Sequence, residues 1–369
     1  MKCKHGLGRK LLVWLIVLTV VPLPFNVYAA DGLPDSPEFG YGAQLSMVTG
    51  NQAYLLDQAS QIGLDWVAIQ FDWAQLWPDP NTQPDLSIFV DLVHEATQRD
   101  LSLMIVFRDS PAWAMTADGP KSDATAAAVL SLIDAFPGQF LAIELFPGAN
   151  TVNGWGAMPN PGAYLAVYRS VQSTLASHSQ NTIVIPSITP LSTSPTSGDM
   201  DDLAFLKTLY EAGAQFPIVG LRYANLNSEP LTNPEPGNPD VLRHYELVRQ
   251  FMLDKGFAQD RIWITGFSWP MQIVEPASQA QWLNEAFILL KAQLYIGAAF
   301  FTWLNPPTLQ DTWAGSTSLI LPDSSLHPAW RDIRLLAAGN STDDLDDLMI
   351  YQPLVKKLVK TANYKRRST

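Results

Sequence analysis

The chain has 369 residues, 47% of them hydrophobic and 16% charged, with 28 Pro, 22 Gly and 12 Trp. That is too apolar and aromatic for a disordered chain, and long enough to bury a core without disulfide staples. Lys plus Arg number 23 against 35 Asp plus Glu, a net charge of −12. This acidity argues against a nucleic-acid partner, and a single cysteine, Cys3, excludes a disulfide framework and a cysteine-built metal site.

Residues 1–30 read as a secretory signal peptide: Lys2, Lys4, Arg9 and Lys10 precede an apolar run at 11–21, and Val27, Tyr28 and Ala29 follow at cleavage spacing. The run is shorter than the roughly 20 residues of a spanning helix. The expectation is a secreted, extracytoplasmic protein with no membrane contact after cleavage; an uncleaved anchor is the alternative. From residue 38 short apolar runs alternate with amphipathic stretches. Strands are expected at 39–45, 66–71, 102–107, 140–146, 182–186, 218–223, 261–267 and 298–303. Helices are expected at 51–62, 86–99, 125–135, 161–177, 201–212, 239–255, 279–294 and 328–338. Eight strand–helix pairs define an α/β fold, a single (β/α)8 TIM barrel over 31–340. There is no Gly-rich phosphate turn after the first strand to favour an open doubly wound sheet. Residues 341–369 form a charged tail, acidic and then basic.

In such a barrel, functional residues gather at the C-terminal ends of the strands. There the sequence places Asp72, Trp73 and Trp77; Arg108, Asp109 and Trp113; Asn150 and Trp155; Tyr223; Trp269; and Trp303, with Trp313 beyond. Seven of the twelve Trp fall on this one rim. Flat aromatic faces beside Asn, Asp and Arg are the composition of a sugar cleft, so the expected partner is an oligo- or polysaccharide. A hydrophobic lid over the barrel is the bland alternative. The histidines are isolated, and neither a metal nor a cofactor is expected.

Several segments carry a family resemblance. Phe39-Gly40-Tyr41-Gly42 opens the first strand, Asp72-Trp73-Ala74-Gln75-Leu76-Trp77-Pro78 follows the second, and Ser110-Pro111-Ala112-Trp113-Ala114 follows the third. Ala142-Ile143-Glu144-Leu145 with Asn150, Gly154-Trp155 and Pro161-Gly162-Ala163-Tyr164 marks the fourth, and Arg261-Ile262-Trp263-Ile264-Thr265 the seventh. In this order the chain resembles the retaining (β/α)8 glycoside hydrolases of clan A, in the branch around families 39 and 5.

The departures bear on chemistry. The resemblance implies an acid/base Glu after the fourth strand and a nucleophilic Glu at the end of the seventh. Gly148 and Gly266 stand at those positions, and Pro147 replaces the adjacent Asn. Retaining hydrolysis needs two carboxyl groups about 5–5.5 Å apart, and glycine supplies neither. Glu144 is expected to point into the barrel and pair with Arg108 or Arg222. Three readings stand: a glycan-binding pseudoenzyme, an active carbohydrate enzyme with relocated carboxylates, and an envelope scaffold. Aryl glycoside assays separate the first two, and a glycan array separates the first from the third.

Overall fold

The computed structural model describes residues 39–178, 180–192, 198–224, 226–270, 274–308 and 318–338. The expected signal peptide, the charged tail and Trp313 lie outside them. Eight parallel strands close into one barrel: β1 (Gly40–Leu45), β2 (Trp66–Asp72), β3 (Ser102–Arg108), β4 (Phe140–Leu145), β5 (Ile183–Ile188), β6 (Ile218–Arg222), β7 (Arg261–Phe267) and β8 (Ile296–Phe301). Each pairs with its sequence neighbour, and β8 returns to β1. A helix follows each strand: α1 (Gln52–Ile62), α2 (Ser87–Thr97), α3 (Ser122–Ala135), α4 (Pro161–Ser177), α5 (Asp202–Glu211), α6 (Tyr245–Asp254), α7 (Pro276–Lys291) and α8 (Ala329–Ala337). The expected (β/α)8 barrel is the observed fold.

Local chemistry sets several boundaries. Asn51 caps α1 by accepting the Tyr54 N–H at 3.0 Å, and Asn160 caps α4 ahead of Pro161 through the Ala163 N–H at 3.0 Å. Asp201 does the same for α5 with the Ala204 N–H at 2.9 Å. β1 and β8 are buried at every residue and the other strands along most of their length, as expected with helices outside and side chains within.

Most boundaries shift by one to three residues, as at α7, which runs Pro276–Lys291 against an expected 279–294, and two shifts have a visible cause. α6 starts at Tyr245 instead of 239, because the Tyr223 hydroxyl accepts the Tyr245 N–H at 3.2 Å and donates to the Leu242 carbonyl at 2.6 Å. That pins Leu242–His244 as a separate 3-10 turn. β8 stops at Phe301, since the Leu304 N–H already donates to the Gln44 carbonyl at 2.7 Å. A small hairpin, Met115–Thr116 with Gly119–Pro120, has strands too short to carry a periodic signal in the sequence.

Inside the barrel, Trp66 of β2 meets Trp263 of β7 with ring centroids 5.1 Å apart, and Phe300 of β8 packs against both. β2 and β7 are not neighbours in the ring, so these aromatics fill the interior.

His327, only 2% exposed, accepts the Ala329 N–H on Nδ1 at 3.0 Å at the start of α8. Burial lowers its pKa from 6.5 to about 4. The unfolded chain takes up this proton below pH 6.5, whereas the folded chain resists it down to about pH 4. The stability contribution is therefore complete above pH 6.5 and lost on acidification toward pH 4, by about 3 kcal/mol. Urea unfolding at neutral and acid pH should show a smaller loss for His327→Gln than for wild type. Equal losses would assign the acid sensitivity to other groups.

Candidate functional site

Four strands carry polar side chains into the barrel near their C-terminal ends: Gln44, Glu144, Ser187 and Arg222. Glu144 is fully buried. Its Oε1 accepts the Ser187 hydroxyl at 2.7 Å and Arg222 Nε at 3.0 Å, and its Oε2 accepts Arg222 Nη2. Arg222 Nη1 donates across the interior to Gln44 Oε1 at 2.9 Å. A buried carboxylate needs an opposite charge and satisfied lone pairs, and this network supplies both. Of the two partners expected for Glu144, Arg222 is the one used; Arg108 turns to Asp109. Gln44 and Ser187 escaped the sequence reading. The signal was faint: single polar residues at the C-terminal ends of apolar strands.

The two glycine positions have different surroundings. A Cβ on Gly266 would lie 2.7 Å from Arg222 Nη1 and 3.1 Å from its Cζ, so the guanidinium fills the space where a side chain would begin. Gly148 lies in the left-handed region at φ +70°, and a Cβ there would meet Thr189 Oγ1 at 2.6 Å. Phe146, two residues earlier, is also left-handed at φ 51°, and is held by edge-on contacts with Phe107 and Trp155. The loop then ties to β5 through the Ala149 N–H and Ser187 carbonyl at 3.1 Å. Asn150 is buried, with Oδ1 accepting the Thr189 N–H at 2.8 Å and Nδ2 donating to the Thr189 and Met200 carbonyls at 2.9 Å each. Its amide braces the loop at both ends.

The rim aromatics divide into two sets. Trp73, Trp155 and Trp269 are at most 1% exposed, which corrects the expectation that they offer open stacking faces. Trp155 donates its Nε1–H to the Asp118 carbonyl at 2.8 Å and Trp269 to that of Ser228 at 2.9 Å, so both are pinned walls. Tyr223 is likewise buried, its hydroxyl spent on the 3-10 turn. Packing against the helices reclaims these rings, because apolar area of that size is most stable out of water. Trp77, Trp113 and Trp303 are half-buried.

Two of these meet at the β2–β3 corner of the mouth. Trp77 and Trp113 pack edge to face at 5.7 Å, with Trp73 beneath Trp113 at 5.5 Å. The Trp113 Nε1–H donates to the Trp77 carbonyl at 3.2 Å and fixes the pair. The sheet register sets Asp72 opposite Arg108. Arg108 Nε donates to Asp109 Oδ2 at 2.5 Å, and both side chains are more than a third exposed. Asp109 is left-handed at φ 56°, and its carbonyl accepts the Ala74 N–H at 2.6 Å, stitching the two strand ends together. Asp72 accepts the Gln75 N–H at 3.0 Å. Burial pushes its carboxyl above the usual range; that N–H and Arg108 oppose the rise, and the Asp109 charge adds to it. Nearby, Ser110 Oγ and Trp73 Nε1 are buried without hydrogen-bond partners. Trp303 follows β8, with β1 between that strand and β2, and its backbone bridges to Ser318. Among the described residues no cluster of His, Cys, Asp or Glu could hold a metal ion, and no helix is long and apolar enough to cross a membrane.

Neither a protein-family model nor a curated protein matches this sequence. Solved structures do match. A family 39 glycoside hydrolase from Bacteroides cellulosilyticus aligns at TM-score 0.61 and 14% identity, over 81% of this chain and 63% of that one. A GH5_18 variant from Bifidobacterium longum, in complex with Manb1-4GlcNAc, aligns at TM-score 0.62 and 14% identity, over 82% and 78%. A beta-glucosidase from Thermotoga maritima in complex with deoxynojirimycin aligns at TM-score 0.60 and 8% identity, over 83% and 99%. The chain thus spans under two thirds of the family 39 protein. The architecture is a (β/α)8 barrel similar to those of these glycoside hydrolases. At these identities the likeness establishes the fold, and any chemistry must be argued from the residues themselves.

Proposed function

We propose that this protein is a secreted glycan-binding pseudoenzyme on a glycosidase barrel, without ordinary retaining hydrolysis. The observation that carries the reading is Arg222, whose guanidinium fills the side-chain space at Gly266 while Glu144 holds it there. A nucleophile on β7 has no room, and Glu144 is committed to an ion pair. What remains for a sugar is the β2–β3 corner. There Trp77 and Trp113 offer apolar faces to sugar C–H groups, and Asp72, Arg108 and Asp109 can take hydroxyls.

The test is a glycan array followed by titration of Trp113→Ala. Because this ring is half-buried at the rim, the variant should keep its fold and lose on the order of tenfold in affinity. Unchanged binding to every glycan on the array would overturn the reading.

One observation favours a second reading. Asp72, whose carboxyl is raised first by burial and further by Asp109, has the environment of a general acid beside a second carboxyl group. Turnover of fluorogenic aryl glycosides that Asp72→Asn abolishes would replace binding with catalysis by relocated carboxylates.

Export rests on the basic, apolar and small-residue pattern of residues 1–30. Mass spectrometry of the medium should find an N-terminus near Ala30 or Asp31. An intact Met1 on membrane-held protein would refute cleavage.

A further inference from the structure

Gln70 stands on the inner face of β2, apart from the Glu144 network. Its register partner is Val106 of β3, whose own partner is Glu144 of β4. Glu144 points into the barrel, and residues side by side in a sheet project to the same face, so Gln70 points inward as well. It lies two residues before Asp72, about 7 Å down the same face. Gln44, Glu144 and Ser187, near this depth, are at most 1% exposed, and each is hydrogen-bonded. Gln70 is half-buried, and its amide makes no side-chain hydrogen bond among the described residues. Deeper in the barrel the Trp66, Trp263 and Phe300 rings fill the interior, so water reaches Gln70 from the mouth.

A carboxamide offers donors and an acceptor at one planar end, and here neither is spent within the protein. The charges around it are matched. Only two cations stand at the C-terminal ends of the strands, Arg108 and Arg222, and they are paired with Asp109 and Glu144. Lys121 lies on the loop beyond β3, exposed, with Nζ on the Trp113 carbonyl at 2.6 Å. A carboxylate carried down to Gln70 would therefore lose its water without gaining an unpaired cation, and would face Asp72 on the way. We propose, resting on the glycan reading, that Gln70 is the floor contact of the sugar site and that the ligand is a neutral sugar, with uronic acids excluded.

The probes are the methyl glycosides of glucose, mannose and galactose and the matching uronides, titrated into the full-length protein while the Gln70 side-chain amide is followed by NMR. At least one neutral glycoside should bind saturably and shift that amide, with its uronide about tenfold weaker. Gln70→Leu should lose about tenfold in affinity for the same glycoside. Its urea midpoint should stay at the wild-type value, because the amide holds nothing within the protein. An unmoved Gln70 signal, equal affinity for the uronide, undiminished binding by Gln70→Leu, or a lowered midpoint would each overturn the proposal. The glycan reading is judged separately, by the array and Trp113→Ala. Array binding with an unmoved Gln70 amide would leave that reading standing and remove only the floor contact.

Discussion

Glu144→Ala should lower unfolding stability by about 3–5 kcal/mol, because it leaves the Arg222 guanidinium within the barrel without its counter-charge. Glu144 is 0% exposed and the Arg222 side chain 17%, so water cannot take over the lost contacts. Ser187 loses its acceptor as well, and a buried hydroxyl without a partner adds to the cost. Glu144→Gln should fall between wild type and Ala, keeping part of the hydrogen bonding but none of the charge. A double change, Glu144→Leu with Arg222→Met, should recover much of the loss, since well-packed apolar residues often replace a buried pair without penalty. Urea midpoints for the four proteins decide the matter. A change within about 1 kcal/mol for Glu144→Ala would mean that the pair is solvated and not central to the barrel.

Gly266→Glu is the second large effect. Judged from the aligned sequence alone, this substitution restores a nucleophile. In the folded chain its Cβ starts 2.7 Å from Arg222 Nη1, closer than real side chains approach, so the guanidinium must move. It is not free to do so, being held by Glu144 and Gln44. The new carboxylate either forces Arg222 out, orphaning Glu144, or draws it away, with the same consequence. The expected result is a loss of roughly 3 kcal/mol and no turnover of activated aryl glycosides. Gly148→Glu adds its own strain, about 1–2 kcal/mol for a non-glycine residue in the left-handed region, and pushes against Thr189. The double variant should therefore be silent in hydrolysis and strongly destabilised. A trapped glycosyl-enzyme on Glu at position 266, seen by mass spectrometry, would show that Arg222 yields its place and that the pseudoenzyme reading is wrong.

The order of elements was legible in the chain itself. Apolar runs such as 103–107 and amphipathic stretches such as 161–177 give local signals, and the caps at Asn51, Asn160 and Asp201 mark helix starts without reference to the rest of the molecule. From these followed eight strand–helix units and hence the barrel. The inward direction of Glu144 was legible too, since a lone charge in an apolar strand needs a buried partner.

The division of the rim was not. Trp73, Trp155 and Trp269 lie in the same kind of segment as Trp77 and Trp113, between a strand's C-terminal end and the next barrel helix, yet the first three are walls and the last two retain open area. Exposure of a ring depends on which helix or loop arrives over it, and Asp118, Ser228 and Phe146 come from elsewhere in the chain. The choice of Arg222 over Arg108 has the same origin: both end strands, and β3 even pairs with β4 directly, but Arg222 reaches past β5 to Glu144 and across the interior to Gln44, whereas Arg108 turns to Asp109. Local patterning determined the elements because hydrogen bonding and apolar periodicity act over a few residues. Tertiary structure alone decided the site, because burial and charge pairing are set by neighbours that the sequence does not place side by side.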